Sequence, residues 1–261
     1  MNLADCGRTP KALYVDSSLE HLSQGVMVME YLPGHTLDYE TELMLVPEVL
    51  ADIHSVKMPE NHHLVTPENP LKAILDECEE MVKTYMDWPL GEEHKKKKIR
   101  GMLDMGWEKL AKTGAEKGYK CCVNTELNST NFLINGENEK NYLIDWEKPV
   151  FSTPAQDLGH FLAPTTTFWK TDIILSEDKI ESFIDEYIKA VKGRFDVAGI
   201  KEKTYLYIPI TCLRGITWCA MAYVEYQSPD KAIFNESTFN KLKAYLDDDF
   251  LDYIERFISQ H

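Results

Sequence analysis

Apolar positions along the chain recur mainly at helical spacing. After Asn69-Pro70, a helix cap followed by an allowed proline, apolar residues lie three or four positions apart and predict an amphipathic helix. They are Leu71, Ile74, Leu75, Cys78, Met81, Val82 and Tyr85. Similar patterns predict helices that begin at Pro47 and after Ser176, and helices over 92–113, 204–226 and 237–259. Most of the chain is therefore predicted to be helical.

Short apolar runs predict a small number of strands. Residues 12–15 and 25–30 flank a polar turn, and residues 119–123 form another such run. Residues 132–134 and 142–144 lie on either side of an Asn135-Gly136 turn and predict a β-hairpin. The first two strands would form a sheet with an exposed edge and an uncovered face.

Polar residues gather at one end of the predicted hairpin. Asn131 precedes its first strand, Asp145 ends its second strand, and Glu126 lies on the loop before it. Facing Asn and Asp oxygens can bind one Mg²⁺ ion, with phosphate oxygens and water completing the shell, while Glu126 faces an approaching hydroxyl. The alternative is a surface hairpin whose polar residues serve only its turns. The spacing alone leaves both interpretations open.

Residues 123–134, read together with 142–147, resemble the catalytic segment of the aminoglycoside phosphotransferase and choline kinase family. These small-molecule kinases have a protein-kinase-like fold, and their motif is H-G/N-D-x-x-x-x-N followed by I-D-F/W-E. The resemblance implies that Asn131 and Asp145 are the Mg²⁺ ligands. It also places Glu126 at the position of the catalytic acid.

Two more segments carry the resemblance. Residues 26–34 are similar to the hinge between the family's two lobes, which implies that Met29, Glu30 and Leu32 bind ATP, the last two bonding adenine through their backbone. Asp157, in Pro-Ala-Gln-Asp-Leu-Gly, matches the acid that braces the catalytic loop. The implied fold class is α+β and protein-kinase-like. Residues 1–34 would form a remnant of the small lobe and the hinge, and residues 35–261 a mainly helical large lobe with the catalytic loop.

The sequence also departs from the family pattern. Asn124-Thr125-Glu126 stands where the family has His-Gly-Asp or His-Asn-Asp, and only 25 residues precede Val26, whereas the family's glycine-rich loop and phosphate-binding lysine lie upstream of the hinge. One hypothesis is a kinase that transfers the ATP γ-phosphoryl group to a hydroxyl of a small acceptor. A cationic molecule is one option for that acceptor. The alternative is an impaired or inactive pseudokinase that binds a nucleotide or a partner. The sequence is read either as a natural large-lobe protein or as part of a longer reading frame.

Four aromatic residues in the C-terminal part of the chain fit two interpretations. Trp169, Trp218, Tyr223 and Tyr226 fall where family members bind the acceptor, and aromatic faces can hold a quaternary ammonium group. Helical aromatics more often fill a core, which is the favoured interpretation for each of them.

The composition restricts which kinds of partner the protein can bind and where in the cell it is expected. With 28 basic and 43 acidic side chains the formal charge is −15, which repels nucleic acid and anionic lipid. No apolar run approaches the roughly 20 residues of a membrane helix, and no signal peptide is visible, so a cytoplasmic protein is predicted. The small-molecule acceptor is what the family resemblance implies. Six cysteines without a C-x-x-C pair are predicted to be reduced thiols. The sequence does not indicate the oligomeric state.

Overall fold

The computed structural model describes residues 3–20, 22–114, 117–228 and 234–261. Strands occur only up to residue 152, in two groups separated by three helices, and the described residues beyond β7 form helices and their connections. The elements are β1 (Ala12–Asp16), β2 (Val26–Met29), β3 (His35–Thr36), α1 (Val46–His54), α2 (Pro70–Met86), α3 (Glu93–Lys112), β4 (Cys121–Val123), β5 (Phe132–Ile134), β6 (Tyr142–Leu143), β7 (Val150–Ser152), α4 (Pro154–Leu162), α5 (Pro164–Thr171), α6 (Glu177–Val191), α7 (Ile200–Tyr226), α8 (Glu236–Tyr245) and α9 (Asp248–Gln260). Short 3₁₀ turns occur at Leu3–Cys6, Leu43–Leu45 and Ser129–Asn131.

The first of two compact units comprises residues 1–65, 119–154 and 176–197. Its strands form three small antiparallel sheets, β1-β2, β3-β5-β6 and β4-β7. Helix α1 packs against α6. Between these helices the buried His54 ring shares a 2.8 Å hydrogen bond with the Tyr187 hydroxyl, so His54 is a hydrogen-bonded core histidine.

The second unit comprises residues 66–118, 155–175 and 198–261 and is helical. Helix α7 is its centre and packs against α2, α3, α5, α8 and α9. Small residues permit close approach to α7. A Cβ atom built on Gly159 of α4 would lie 2.3 Å from the Cβ of Tyr207, and one built on Gly106 of α3 would lie 2.4 Å from a methyl of Leu213. All seven apolar positions of the α2 pattern are buried, as predicted.

Two predicted elements differ from the structure. The helix predicted over 237–259 is two helices, because Asp247 begins a new one by accepting a hydrogen bond from the Asp249 amide at 3.1 Å. The hairpin turn is also longer than Asn135-Gly136. Residues 135–141 connect the strands, and the Asn141 side chain accepts hydrogen bonds from the amides of Asn135 and Gly136.

Other predictions have mixed outcomes. All six cysteines are thiols, and five of them are buried, as expected. Each compact unit is assembled from three separated stretches of the chain, whereas the predicted division is a single boundary at residue 34. That boundary stays a prediction. Within the described part of the chain, no helix has the length and apolar character needed to cross a membrane.

Candidate active site

The polar ends of β5 and β6 lie side by side. These strands pair with Phe132 opposite Leu143, and the Ile144 amide extends the pairing by donating to the Asn131 carbonyl at 2.8 Å. Asn131 immediately precedes β5, and Asp145 follows Ile144. The structure therefore places the two residues predicted to bind Mg²⁺ at the same end of two paired strands, Asn131 just before β5 and Asp145 just beyond β6.

A buried asparagine connects the two halves of this site. Asn124, 1% exposed, follows β4 and donates from its amide nitrogen to the carbonyl of Asp145 at 2.7 Å. Its side-chain oxygen accepts a hydrogen bond from the Glu126 amide at 3.1 Å. One side chain thus fixes the backbone at the residue predicted to bind metal and at the residue predicted to be the catalytic acid.

The loop that carries Glu126 is held by further amides. The Glu126 carbonyl accepts hydrogen bonds from the side chains of Asn128 and Asn131, at 3.2 and 3.1 Å. The Glu126 carboxylate is about one third exposed and lies 3.5 Å from the ammonium group of Lys148. The carboxylate can therefore be reached from solvent, while its backbone is fixed.

Two non-glycine residues of the site have left-handed backbone conformations. Thr125 has φ 71° and Asp145 has φ 65°. Such conformations cost of order 1–3 kcal/mol and persist only where surrounding contacts impose them. Those contacts are present, because Asn124 bonds the Asp145 carbonyl and the Thr125 hydroxyl donates to the Lys148 carbonyl at 3.1 Å. Backbone strain of this kind is typical of functional sites.

The donor set fits Mg²⁺. The Asn131 amide nitrogen donates to the Glu126 carbonyl, so the side-chain oxygen, which also accepts a hydrogen bond from the Thr130 hydroxyl at 3.4 Å, is the end that can face a cation. Asp145 adds a carboxylate that is exposed. Mg²⁺ is usually bound through one or two carboxylates, with substrate phosphates and water as its remaining ligands. An amide oxygen and a carboxylate at the same end of two paired strands are ligands of this kind.

The hinge-like segment adjoins the same sheet. Strand β3 pairs with β5, and Gly34, just before β3, approaches so closely that an added Cβ would lie 2.8 Å from the Cβ of Leu133. The Glu30 amide donates to the Lys11 carbonyl at 2.9 Å. The Glu30 amide is therefore engaged within the β1-β2 hairpin.

A cavity of about 310 Å³ lies against two of the three predicted hinge residues. Its lining residues are Ala4, Asp5, Gly7, Thr9, Lys11, Glu30, Leu32, Lys140 and Tyr142. Met29, the third hinge residue, ends β2 and is 46% exposed. Glu126, Asn131 and Asp145 do not line this cavity, so the cavity is not the predicted metal site.

Other predicted residues belong to the second unit. Asp157 is fully buried on α4. The rings of Trp169 and Trp218 meet edge to face with centroids 5.2 Å apart, and Trp218 is 39% exposed. Tyr223 and Tyr226 instead stack on Phe239, as expected for aromatics that pack a helical unit.

Comparison with solved structures identifies the fold. The chain is similar to a choline/ethanolamine kinase family protein from Mesorhizobium loti, with 17% identity, a TM-score of 0.57, and coverage of 99% of this chain and 80% of that one. It is also similar to spectinomycin phosphotransferase in complex with ADP and spectinomycin, at 16% identity and a TM-score of 0.64, with the same coverage. A choline kinase from Cryptosporidium parvum matches with 12% identity and a TM-score of 0.67 over 99% of this chain and 76% of that one. The protein therefore has the protein-kinase-like fold of small-molecule kinases.

The family follows from the sequence comparison. The model of the phosphotransferase enzyme family, APH, matches residues 2–198, and the chain belongs to that family. No curated protein matches the chain in sequence. The resemblance stated from the catalytic segment is thus confirmed at the level of family and fold.

The sequence did not reveal two residues of the site. In the sequence Asn124 stands out only as a departure from the family's histidine, yet it is the residue that bonds both Asp145 and Glu126. Lys148 pairs with the Glu126 carboxylate. The available signal for Asn124 is a polar residue directly after an apolar strand. Nothing in the sequence distinguishes Lys148 from other surface lysines.

Proposed function

We propose that this protein is a small-molecule kinase that transfers the γ-phosphoryl group of ATP to a hydroxyl group. The observation that carries the proposal is the joint fixing of Glu126, Asn131 and Asp145 by the Asn124 and Asn131 side chains. Phosphoryl transfer depends mainly on positioning and on neutralising phosphate charge, and a rigid arrangement of an acid beside a metal site serves both needs.

Each residue has a distinct role in the proposed reaction. Asn131 and Asp145 would hold Mg²⁺, which neutralises phosphate charge when it is bound. The acceptor oxygen forms a bond to the γ-phosphorus, and the bond from that phosphorus to the bridging oxygen of ADP breaks. Glu126 orients the hydroxyl and accepts its proton. Met29, Glu30 and Leu32 are proposed to hold the adenine, the last two through backbone groups.

An acceptor that bears an amine is the class we favour. The similar proteins are described as kinases of choline and ethanolamine and as a phosphotransferase seen with spectinomycin.

A second candidate is a nucleotide-binding protein without turnover. The pairing of the Glu126 carboxylate with Lys148 favours it, because an engaged carboxylate is less available to a substrate hydroxyl. Both candidates require nucleotide binding at Asn131 and Asp145. They differ only in whether ADP and a phosphorylated acceptor form.

Calorimetry of ATP binding with and without Mg²⁺ tests the shared requirement. We expect binding that depends on Mg²⁺ in the wild type and is lost in Asp145→Ala. Glu147→Ala is the matched control, because this exposed acid lies two residues further along the same turn and has no proposed role. ATP binding that is indifferent to Mg²⁺ and to Asp145→Ala would refute the site.

Release of ADP with a panel of amino alcohols and aminoglycosides separates the two candidates. Glu126→Gln keeps the backbone hydrogen bonds of the loop but removes the base. We expect it to lower turnover by about 10²–10⁴-fold with ATP affinity unchanged, the range usual for loss of a general base. Tight magnesium-dependent binding with no ADP release for any acceptor would support the second candidate.

A further inference from the structure

The loop that follows β3 buries two of its side chains. Leu37 is 4% exposed and Tyr39 is fully buried, whereas Asp38 and Glu40 are exposed. Connecting segments normally run over the surface, so a buried tyrosine on such a loop implies a specific contact in the interior. The proposed reaction makes no direct use of this side chain.

The exposed side of the loop is closed by its own polar groups. The Glu42 carboxylate accepts a hydrogen bond from the Asp38 amide at 3.0 Å and pairs with the His35 ring at 2.8 Å. The Asp38 carboxylate accepts from the Glu40 amide at 2.8 Å and from the Thr41 hydroxyl at 2.9 Å. These contacts hold the loop in one shape without a contribution from the Tyr39 side chain. A change at that side chain therefore tests its inner contact and not the shape of the loop.

The buried side of the loop meets the backbone of Ser129. The Leu37 amide donates to the Ser129 carbonyl at 3.1 Å. Burial raises the pKa of Tyr39, and the Ser129 backbone, which lies against the hydroxyl, partly offsets that rise. Filling the interior does not require this hydroxyl, because phenylalanine would occupy nearly the same volume without burying a polar group. The hydroxyl is therefore the part of Tyr39 that packing does not explain.

Ser129 begins the short turn that carries a proposed metal ligand. The 3₁₀ turn comprises Ser129–Asn131, and the Asn131 amide closes it by donating to the Asn128 carbonyl at 3.1 Å. Both end residues are buried, with Ser129 3% and Asn131 5% exposed. So short a turn has little freedom to absorb a shift of its first residue. A displacement of Ser129 is therefore passed on to Asn131.

We propose that Tyr39 is a positioning residue for the metal site. By holding Ser129 it fixes the turn, and the turn holds the Asn131 side-chain oxygen where it faces Mg²⁺. This inference rests on the proposed function, because it takes Asn131 as a metal ligand. Tyr39 acts through Ser129 and not by contact with the metal. Residues that orient a metal ligand in this way lower metal affinity when they are replaced.

Magnesium titrations of Tyr39→Phe, which loses the hydroxyl but keeps the ring, test the proposal. We expect the Mg²⁺ concentration that supports half-maximal ATP binding, measured by calorimetry on the full chain, to rise about threefold to tenfold. ATP binding without Mg²⁺ should be unchanged. Tyr187→Phe is the matched control, because Tyr187 is an equally buried tyrosine of the same unit whose hydroxyl instead bonds His54. It should leave the Mg²⁺ requirement as it is in the wild type.

Hydrogen exchange of the ligand-free protein separates this inference from the proposed function. The Leu37 and Asn131 amides, which bond within the loop contact and the turn, report on their opening. We expect both amides to exchange about threefold to tenfold faster in Tyr39→Phe and to be unchanged in Tyr187→Phe. Unchanged exchange in Tyr39→Phe, an unchanged Mg²⁺ requirement, or an equal effect of Tyr187→Phe would each overturn the proposal. A wild type that binds no ATP would refute the proposed function, while the exchange rates would still decide whether Tyr39 holds the turn.

Discussion

Replacing Asn124 with alanine should destabilise the protein and loosen its metal site. The change removes the hydrogen bonds to the Asp145 carbonyl and from the Glu126 amide. Each such bond contributes a net of about 0.5–1.5 kcal/mol, and a buried polar group left without a partner costs about 1–3 kcal/mol. Because Asn124 is 1% exposed, water cannot easily replace it. We expect a loss of about 2–4 kcal/mol in the free energy of unfolding.

The functional loss follows from the backbone of Asp145. Its φ of 65° is unfavourable and is maintained by contacts that include the Asn124 bond. Without that bond Asp145 can relax, and its carboxylate moves relative to Asn131. Mg²⁺-dependent ATP binding should therefore weaken, although Asn124 itself is not a proposed ligand. Asn124→Asp refines the test, because it keeps an oxygen for the Glu126 amide and places a second oxygen against the Asp145 carbonyl.

Urea unfolding and calorimetry measure the two effects separately. Asn240→Ala, an exposed position in the middle of α8, is the control and should change stability by less than about 0.5 kcal/mol. If Asn124→Ala were equally silent in unfolding and left Mg²⁺-dependent ATP binding intact, the argument that this side chain organises the site would be refuted.

Two further predictions concern stability alone. Gly34→Ala combines a φ of 139° with a Cβ contact of 2.8 Å to Leu133, and should cost about 2–5 kcal/mol in urea unfolding. Gly136→Ala, with φ 118° and no atom within 4 Å, should cost only the backbone strain of about 1–2 kcal/mol, and equal losses would contradict the role of the contact. The paired guanidinium of Arg100 holds the pKa of Glu79 below its usual 4.5, so this pair stabilises the folded state above that pH and the effect is lost as pH falls through the lowered pKa. Glu79→Gln should therefore cost about 0.5–1 kcal/mol at neutral pH, with the difference from wild type fading well below pH 4.5; an undiminished difference there would contradict the assignment.

The sequence predicts elements whose causes are local. The α2 pattern, the Asn69 cap and the pairing of β5 with β6 all depend on residues close in the chain, and each is present in the structure. Local cues also mislead where they compete. The apolar pattern continues through Asp247 and so predicts one helix over 237–259. The Asp247 side chain caps a new helix there, and a capping hydrogen bond leaves no trace in the spacing of apolar residues.

Contacts between distant parts of the chain could not be predicted. Asn124 bonds a carbonyl 21 positions away, and the Glu126 carboxylate pairs with Lys148, which is 22 positions away. The compact units are also assembled from three separated stretches each. Residue type and spacing identified Asn131 and Asp145 as neighbours, because hairpin pairing fixes that relation. They could not identify Asn124 as the connection, because its partners depend on where β4 lies in the folded unit.

The pairing of Glu126 with Lys148 does not by itself make the proposed acid inactive. The Lys148 side chain is 69% exposed and that of Glu126 is 33% exposed, and their charged atoms are 3.5 Å apart. Ion pairs with this much solvent contact contribute about 0–1 kcal/mol, which is small beside the energy available from binding a substrate. Displacing Lys148 from Glu126 would therefore cost the proposed acceptor hydroxyl little. By contrast, the hydrogen bonds that fix the Glu126 backbone are partly buried and would persist through that exchange. A weak ion pair on a fixed loop is compatible with the proposed base, so loss of turnover in Glu126→Gln, with binding intact, is the decisive observation.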